Sequence, residues 1–91
     1  MMKRYEVEVT GRVQGVGFRA FVEQTASQYP VTGTVQNRPE GSVVIQVQGE
    51  ETEIEQFLAK VGQGNHFAKV EHMEKKEIPK KEKEGRFSTI Y

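Results

Sequence analysis

Nine residues, Gly11-Arg12-Val13-Gln14-Gly15-Val16-Gly17-Phe18-Arg19, constrain this chain more than any others. Three glycines in seven positions separate a strand-like run from a helix-like run. Glycine lets backbone N–H groups turn inward and approach a ligand closely. A helix that starts just after the loop points its positive end at the same spot. Arg19, at that junction, adds a fixed fork of donors. The sum is an anion cradle of phosphate size.

The flanking residues say what carries the loop. Tyr5, Val7 and Val9 alternate with Glu6, Glu8 and Thr10, the period of a strand with one buried face. Phe18, Phe21, Val22, Thr25, Ala26 and Tyr29 recur at helical spacing, which predicts a helix from Phe18 to Tyr29 stopped by Pro30. Val31 to Asn37 reads as a second strand, and Ser42 to Gln48 as a third. Arg38-Pro39-Glu40-Gly41 has the residues of a tight turn and joins the two as a hairpin. Ile54, Phe57, Leu58 and Val61 form a second helical stripe opened by Glu50, Glu51 and Glu53, with Gly62 suited to the C′ position.

Phe67 to Ile78 holds a fourth strand, but Glu74 to Glu84 mixes Lys and Glu around Pro79 and reads as a solvated connection. Arg86 to Tyr91 reads as a short final strand. The order predicts an α+β, ferredoxin-like βαββαβ sandwich: an antiparallel sheet, two helices on one face and a short extra C-terminal strand. Phe18, Phe21, Phe57 and Phe67 are the expected core aromatics.

Composition removes several classes of function. Ninety-one residues, about a third of them apolar, make one domain, 1–91, with one two-layer core. Thirteen Lys plus Arg balance thirteen Asp plus Glu, against steering to nucleic acid or an anionic membrane. There is no cysteine, hence no disulfide, thiolate metal site or cysteine nucleophile. The N-terminus, Met-Met-Lys-Arg-Tyr-Glu, lacks a signal peptide's apolar stretch, and no segment is apolar enough to span a membrane. A cytoplasmic monomer without cofactor or metal is the expectation. His66 and His72 have no second ligand at metal spacing and read as surface residues. Arg12 reads as solvated, and Arg38 either attracts an anion or is solvated.

Competing readings of the loop fail on context. Gly15-Val16-Gly17-Phe18-Arg19-Ala20 fits the dinucleotide fingerprint GxGxxA, but the chain is too short for a doubly wound fold and its central hairpin is antiparallel. A P-loop ends in Gly-Lys-Ser/Thr, which is absent. A cysteine phosphatase places a thiolate six residues before the arginine, where Val13 stands. An RNA-recognition sheet needs exposed aromatics on its central strands, and the third strand offers Ser, Val, Ile and Gln.

The loop GRVQGVGFR, followed by Gly33-Thr34-Val35-Gln36-Asn37, then Pro39-Glu40-Gly41-Ser42-Val43, and the ending Arg86-Phe87-Ser88-Thr89-Ile90-Tyr91, resembles the acylphosphatase family along the whole chain. The loop with an asparagine eighteen residues beyond Arg19 is a specific pair. The resemblance implies hydrolysis of the carboxyl–phosphate bond of acyl phosphates, without metal. It implies that Arg19 binds the phosphate and Asn37 positions the attacking water. The loop amides of Gln14, Gly15, Val16, Gly17, Phe18 and Arg19 would complete the cradle. Thr34 and Gln36 depart from the family pattern, which often has an aromatic and a basic residue there.

The chemistry is consistent with these residues. A carboxylate leaving group, with a pKa around 4 to 5, departs without a general acid. Phosphoryl transfer then needs positioning and charge stabilisation, which amides, one arginine and one asparagine supply. The alternative is a non-catalytic module that binds phosphate or acyl phosphates. A related architecture occurs fused to larger maturation enzymes, whereas this chain reads as standing alone.

Overall fold

The alternation in the first strand decides which way the sheet faces. In the computed structural model, which describes residues 1–91, strand β1 (Met2–Arg12) buries Tyr5, Val7 and Val9 on one side. Strand β3 (Val43–Glu50) continues that face with Val43, Ile45 and Val47, and strand β2 (Thr32–Asn37) adds Val35. Helix α1 (Phe18–Ala26) lays Phe18, Val22 and Ala26 on it, and helix α2 (Glu51–Gly62) lays Ile54, Phe57 and Val61. These side chains form one cluster, so both helices cover the same face. Each large side chain buried there contributes about 1.5–3 kcal/mol. No helix is long and apolar enough to cross a membrane.

Strand β4 (Lys69–Ile78) and strand β5 (Phe87–Ile90) complete a five-stranded sheet of order β4-β1-β3-β2-β5. The architecture is the expected α+β, ferredoxin-like one, with one difference. The first four strands pair antiparallel, but β5 lies parallel to β2, so the sheet is mixed. The reason is the route of residues 79–86, which connect one edge of the sheet to the other.

That topology brings the site together. Strands β1 and β2 each run antiparallel to β3, and β5 runs parallel to β2. The C-terminal ends of β1, β2 and β5 therefore lie at one end of the sheet. The register is explicit: Val9 and Asn37 both pair with Val43, and Gln36 pairs with Ile90. The glycine loop leaves β1 at the level where Asn37 ends β2 and Tyr91 follows β5.

Several local expectations change. Helix α1 stops at Ala26, before Tyr29, where the backbone tightens into turns ahead of Pro30, with Gln28 N–H donating to the Thr25 carbonyl and Tyr29 N–H to that of Ala26. Gly62 is the last residue of α2, and Gly64, with φ +70°, takes the left-handed position after Gln63. Phe67 is not a core residue; it is 66% exposed. The Asn65 side-chain oxygen accepts from the N–H groups of Phe67 (3.1 Å) and Ala68 (2.6 Å). That turn sends Ala68 into the core and leaves Phe67 edge-on to His66, with β4 beginning at Lys69.

The charged segment from Glu74 to Glu84 is not all solvated connection either. Its first half is β4, which pairs with β1 as far as Ile78 opposite Arg4. Alternating Lys and Glu suit an edge strand, since charge discourages pairing with another sheet. Its second half crosses the open face of the sheet. There Arg4, 1% exposed, donates through Nη1 (2.7 Å) and Nη2 (3.1 Å) to the Glu84 carboxylate. The Gln46 and Gln48 side-chain oxygens accept from the same guanidinium, and Gln48 also bonds Lys81 in both directions at 2.8 Å. Burial pushes the Glu84 pKa up. Hydrogen bonds from Arg4 and Thr32 and the Arg4 charge outweigh it and leave the carboxyl below its ordinary value.

Candidate active site

The loop that follows β1 takes its shape from glycines at two positions. Gly15 has φ +73° and Gly17 φ +75°, both left-handed, and Gly17 caps α1. A Cβ at either position would meet nothing within 4 Å, so dihedral strain, not crowding, requires glycine. The same open space leaves the loop backbone accessible. Helix α1 has no acidic residue in its first turn and no side-chain cap at its N-terminus. Its first N–H groups and positive dipole end thus remain available to an anion.

Gln14 anchors the loop from the other side. Its Nε2 donates to the carbonyls of Arg38 (2.7 Å) and Ser42 (2.8 Å) in the β2–β3 turn. The turn is closed by Arg38 N–H donating to Ser42 O at 2.9 Å. The glycine loop and the strand end that carries Asn37 are thereby tied together. Arg38 itself lies 3.7 Å from Glu8 and 3.9 Å from Glu6, so its charge is engaged away from an incoming anion. Arg12 is exposed, and His66 and His72 lie on the surface, as expected.

A cavity of about 590 Å³ opens at this end of the sheet. Gly15, Gly17, Phe18, Arg19 and Asn37 line it together. Gln14 and Val16 do not: Gln14 faces the turn, and Val16 packs against the core. The Phe18 ring is 1% exposed within the core, so Phe18 can offer an anion its backbone only. The Asn37 side-chain oxygen is buried and has no hydrogen-bond partner. The cavity thus brings a guanidinium, which only donates, together with a carboxamide that can donate and accept, a set suited to an anion and a water.

A model of the acylphosphatase family matches residues 5–89. The chain belongs to the acylphosphatase family. The acylphosphatase of Clostridium acetobutylicum is 47% identical over 91 residues, which cover all of both chains. The crystal structure of acylphosphatase from Bacillus subtilis superposes with a TM-score of 0.92 and 40% identity, again over all of both chains. The fold also matches full-length HypF in its phosphate- and nucleotide-bound form, with a TM-score of 0.90 and 30% identity, where the chain covers 12% of that protein.

The cavity also contains residues that local sequence patterns do not reveal. Thr89 and Tyr91 line it from β5 and just beyond. The Arg19 guanidinium stacks over the Tyr91 ring, 5.0 Å from its centroid. Glu23, Gln24 and Ser27 line it from α1, and Glu23 is its one acidic member. The helical residues carry a faint signal, since Arg19, Glu23 and Ser27 repeat every four positions and share a face. The contribution of β5 depends on its parallel return beside β2, which no local pattern announces.

Proposed function

We propose that this chain hydrolyses acyl phosphates to a carboxylate and inorganic phosphate by direct attack of water on phosphorus. Family membership and fold support the reaction class. The observation that carries the residue roles is the shared cavity. Loop glycines and Arg19, suited to an anion, line it with Asn37, whose carboxamide oxygen is engaged by no protein group.

In this reading the phosphoryl oxygens take the loop N–H groups and the Arg19 guanidinium. The Arg19 fork is further ordered by Tyr91. Asn37 Oδ1 accepts one water proton and turns the water's lone pair toward phosphorus. Asparagine is too weak a base to keep that proton, so a phosphate oxygen receives it. The P–O bond to the acyl group breaks as the new P–O bond forms, and the carboxylate leaves with the electron pair. Its low pKa removes any need for a general acid. Positioning and electrostatics supply the catalysis, as phosphoryl transfer requires.

Hydrolysis of benzoyl phosphate in ¹⁸O water tests the mechanism. The proposal expects one labelled oxygen in phosphate and none in benzoate. Label in benzoate would mean attack at carbon. Phosphate binding in calorimetry without turnover would instead identify a binding module.

A further inference from the structure

Arg19 and Glu23 stand four residues apart on α1, a spacing that brings a cation and a carboxylate within reach of each other on one helix face. No ion pair joins them. Instead the two side chains are divided between two residues of the C-terminal segment. Thr89 Oγ1 donates to the Glu23 carboxylate, and the Tyr91 ring lies against the Arg19 guanidinium. Thr89 stands on β5, and Tyr91 follows just beyond the end of that strand. Pairing of Val35 with Thr89 in the β2–β5 ladder fixes this placement.

We infer that Thr89 is a positioning residue that holds Glu23 off Arg19 and so keeps the guanidinium free for phosphate. The inference rests on the reading of Arg19 as the phosphate-binding residue. A carboxylate inside an anion site is otherwise a liability. It repels the incoming phosphate and offers Arg19 an internal substitute for it. A hydroxyl bonded to that carboxylate removes the second effect at little cost, because it adds no positive charge to compete for substrate. Glu23 is exposed, and rotation about its own torsions exchanges one partner for the other.

The test uses Thr89→Val, Glu23→Gln and the double variant, with benzoyl phosphate turnover and inhibition by inorganic phosphate. Valine keeps the β-branched shape that β5 needs and deletes the hydroxyl. An exposed ion pair predicts that Thr89→Val raises both KM and the phosphate inhibition constant roughly two- to fivefold, with a smaller change in kcat. Adding Glu23→Gln brings both to the wild-type value or below it, since it also removes the repulsion, and Thr89→Ser keeps wild-type values. The loss in Thr89→Val shrinks near 1 M salt, where the screening length falls to about 3 Å. Unchanged binding in Thr89→Val overturns the inference. So does a loss that Glu23→Gln leaves in place, which would mean damaged packing. Arg19→Ala in the same assay separates the two levels: undiminished phosphate binding there refutes the role of Arg19 itself, whatever Thr89 does.

Discussion

Asn37→Ala separates function from stability. No protein group donates to the buried Asn37 oxygen, and such an acceptor costs about 1–3 kcal/mol of desolvation in the free chain. Alanine keeps the Cβ and deletes the amide, so few apolar contacts are lost with it. Both residues are poor strand formers, so propensity at the end of β2 does not decide the sign. A net gain of about 1 kcal/mol follows, which for a chain of this size raises Tm by about 4–8 °C. The same deletion removes the acceptor that orients water, which should lower kcat by about 10²–10³. The pair of measurements is a thermal melt and benzoyl phosphate turnover on one preparation. A variant that is both slower and less stable by several degrees would refute the reasoning, since it would make Asn37 a structural residue.

Other parts of the account have their own tests. Gly15→Ala places a Cβ in open space but forces a left-handed φ, so it should cost about 1–2 kcal/mol in denaturant unfolding. Tyr91→Ala removes a stacking partner worth about 0.5–1 kcal/mol at an exposed site, and should raise the KM for benzoyl phosphate a few-fold. Glu84→Gln leaves the buried Arg4 charge without its counterion, and should destabilise the fold at pH 7 by on the order of 3 kcal/mol. Because the folded Glu84 pKa is depressed, that stabilisation is complete above the unfolded value near pH 4.3 and fades as pH falls through the folded one. Wild type and Glu84→Gln should therefore converge in acid melts.

Strong local patterns made most of this molecule legible. The alternation of Tyr5, Val7 and Val9 and the stripe of Ile54, Phe57 and Val61 each mark one buried face, and both meet in the core. The glycines at 15 and 17 were readable because only a left-handed backbone needs them there. The residues whose place departs from the local pattern owe it to distant partners. Phe67 looks like a core aromatic until the Asn65 turn rotates it outward. Glu84 looks solvated until the chain crosses the open face and meets Arg4, a buried cation in an otherwise ordinary strand. Thr89 and Tyr91 join the site through the parallel register of β5 on β2, a pairing between residues more than fifty positions apart. The loop and Asn37 come from segments whose relation the split βαβ order already implies, which is why that half of the candidate site is legible in the sequence.

The central claim is that Arg19 and Asn37 act on one phosphoryl group held in the cavity between them. Benzoyl phosphate turnover by Arg19→Ala, beside wild type in the presence of EDTA, tests it most directly. The account predicts EDTA-insensitive hydrolysis by wild type and a loss of at least about 10²-fold in the variant, since a charged donor is removed. A folded Arg19→Ala protein that turns over benzoyl phosphate at the wild-type rate would contradict it.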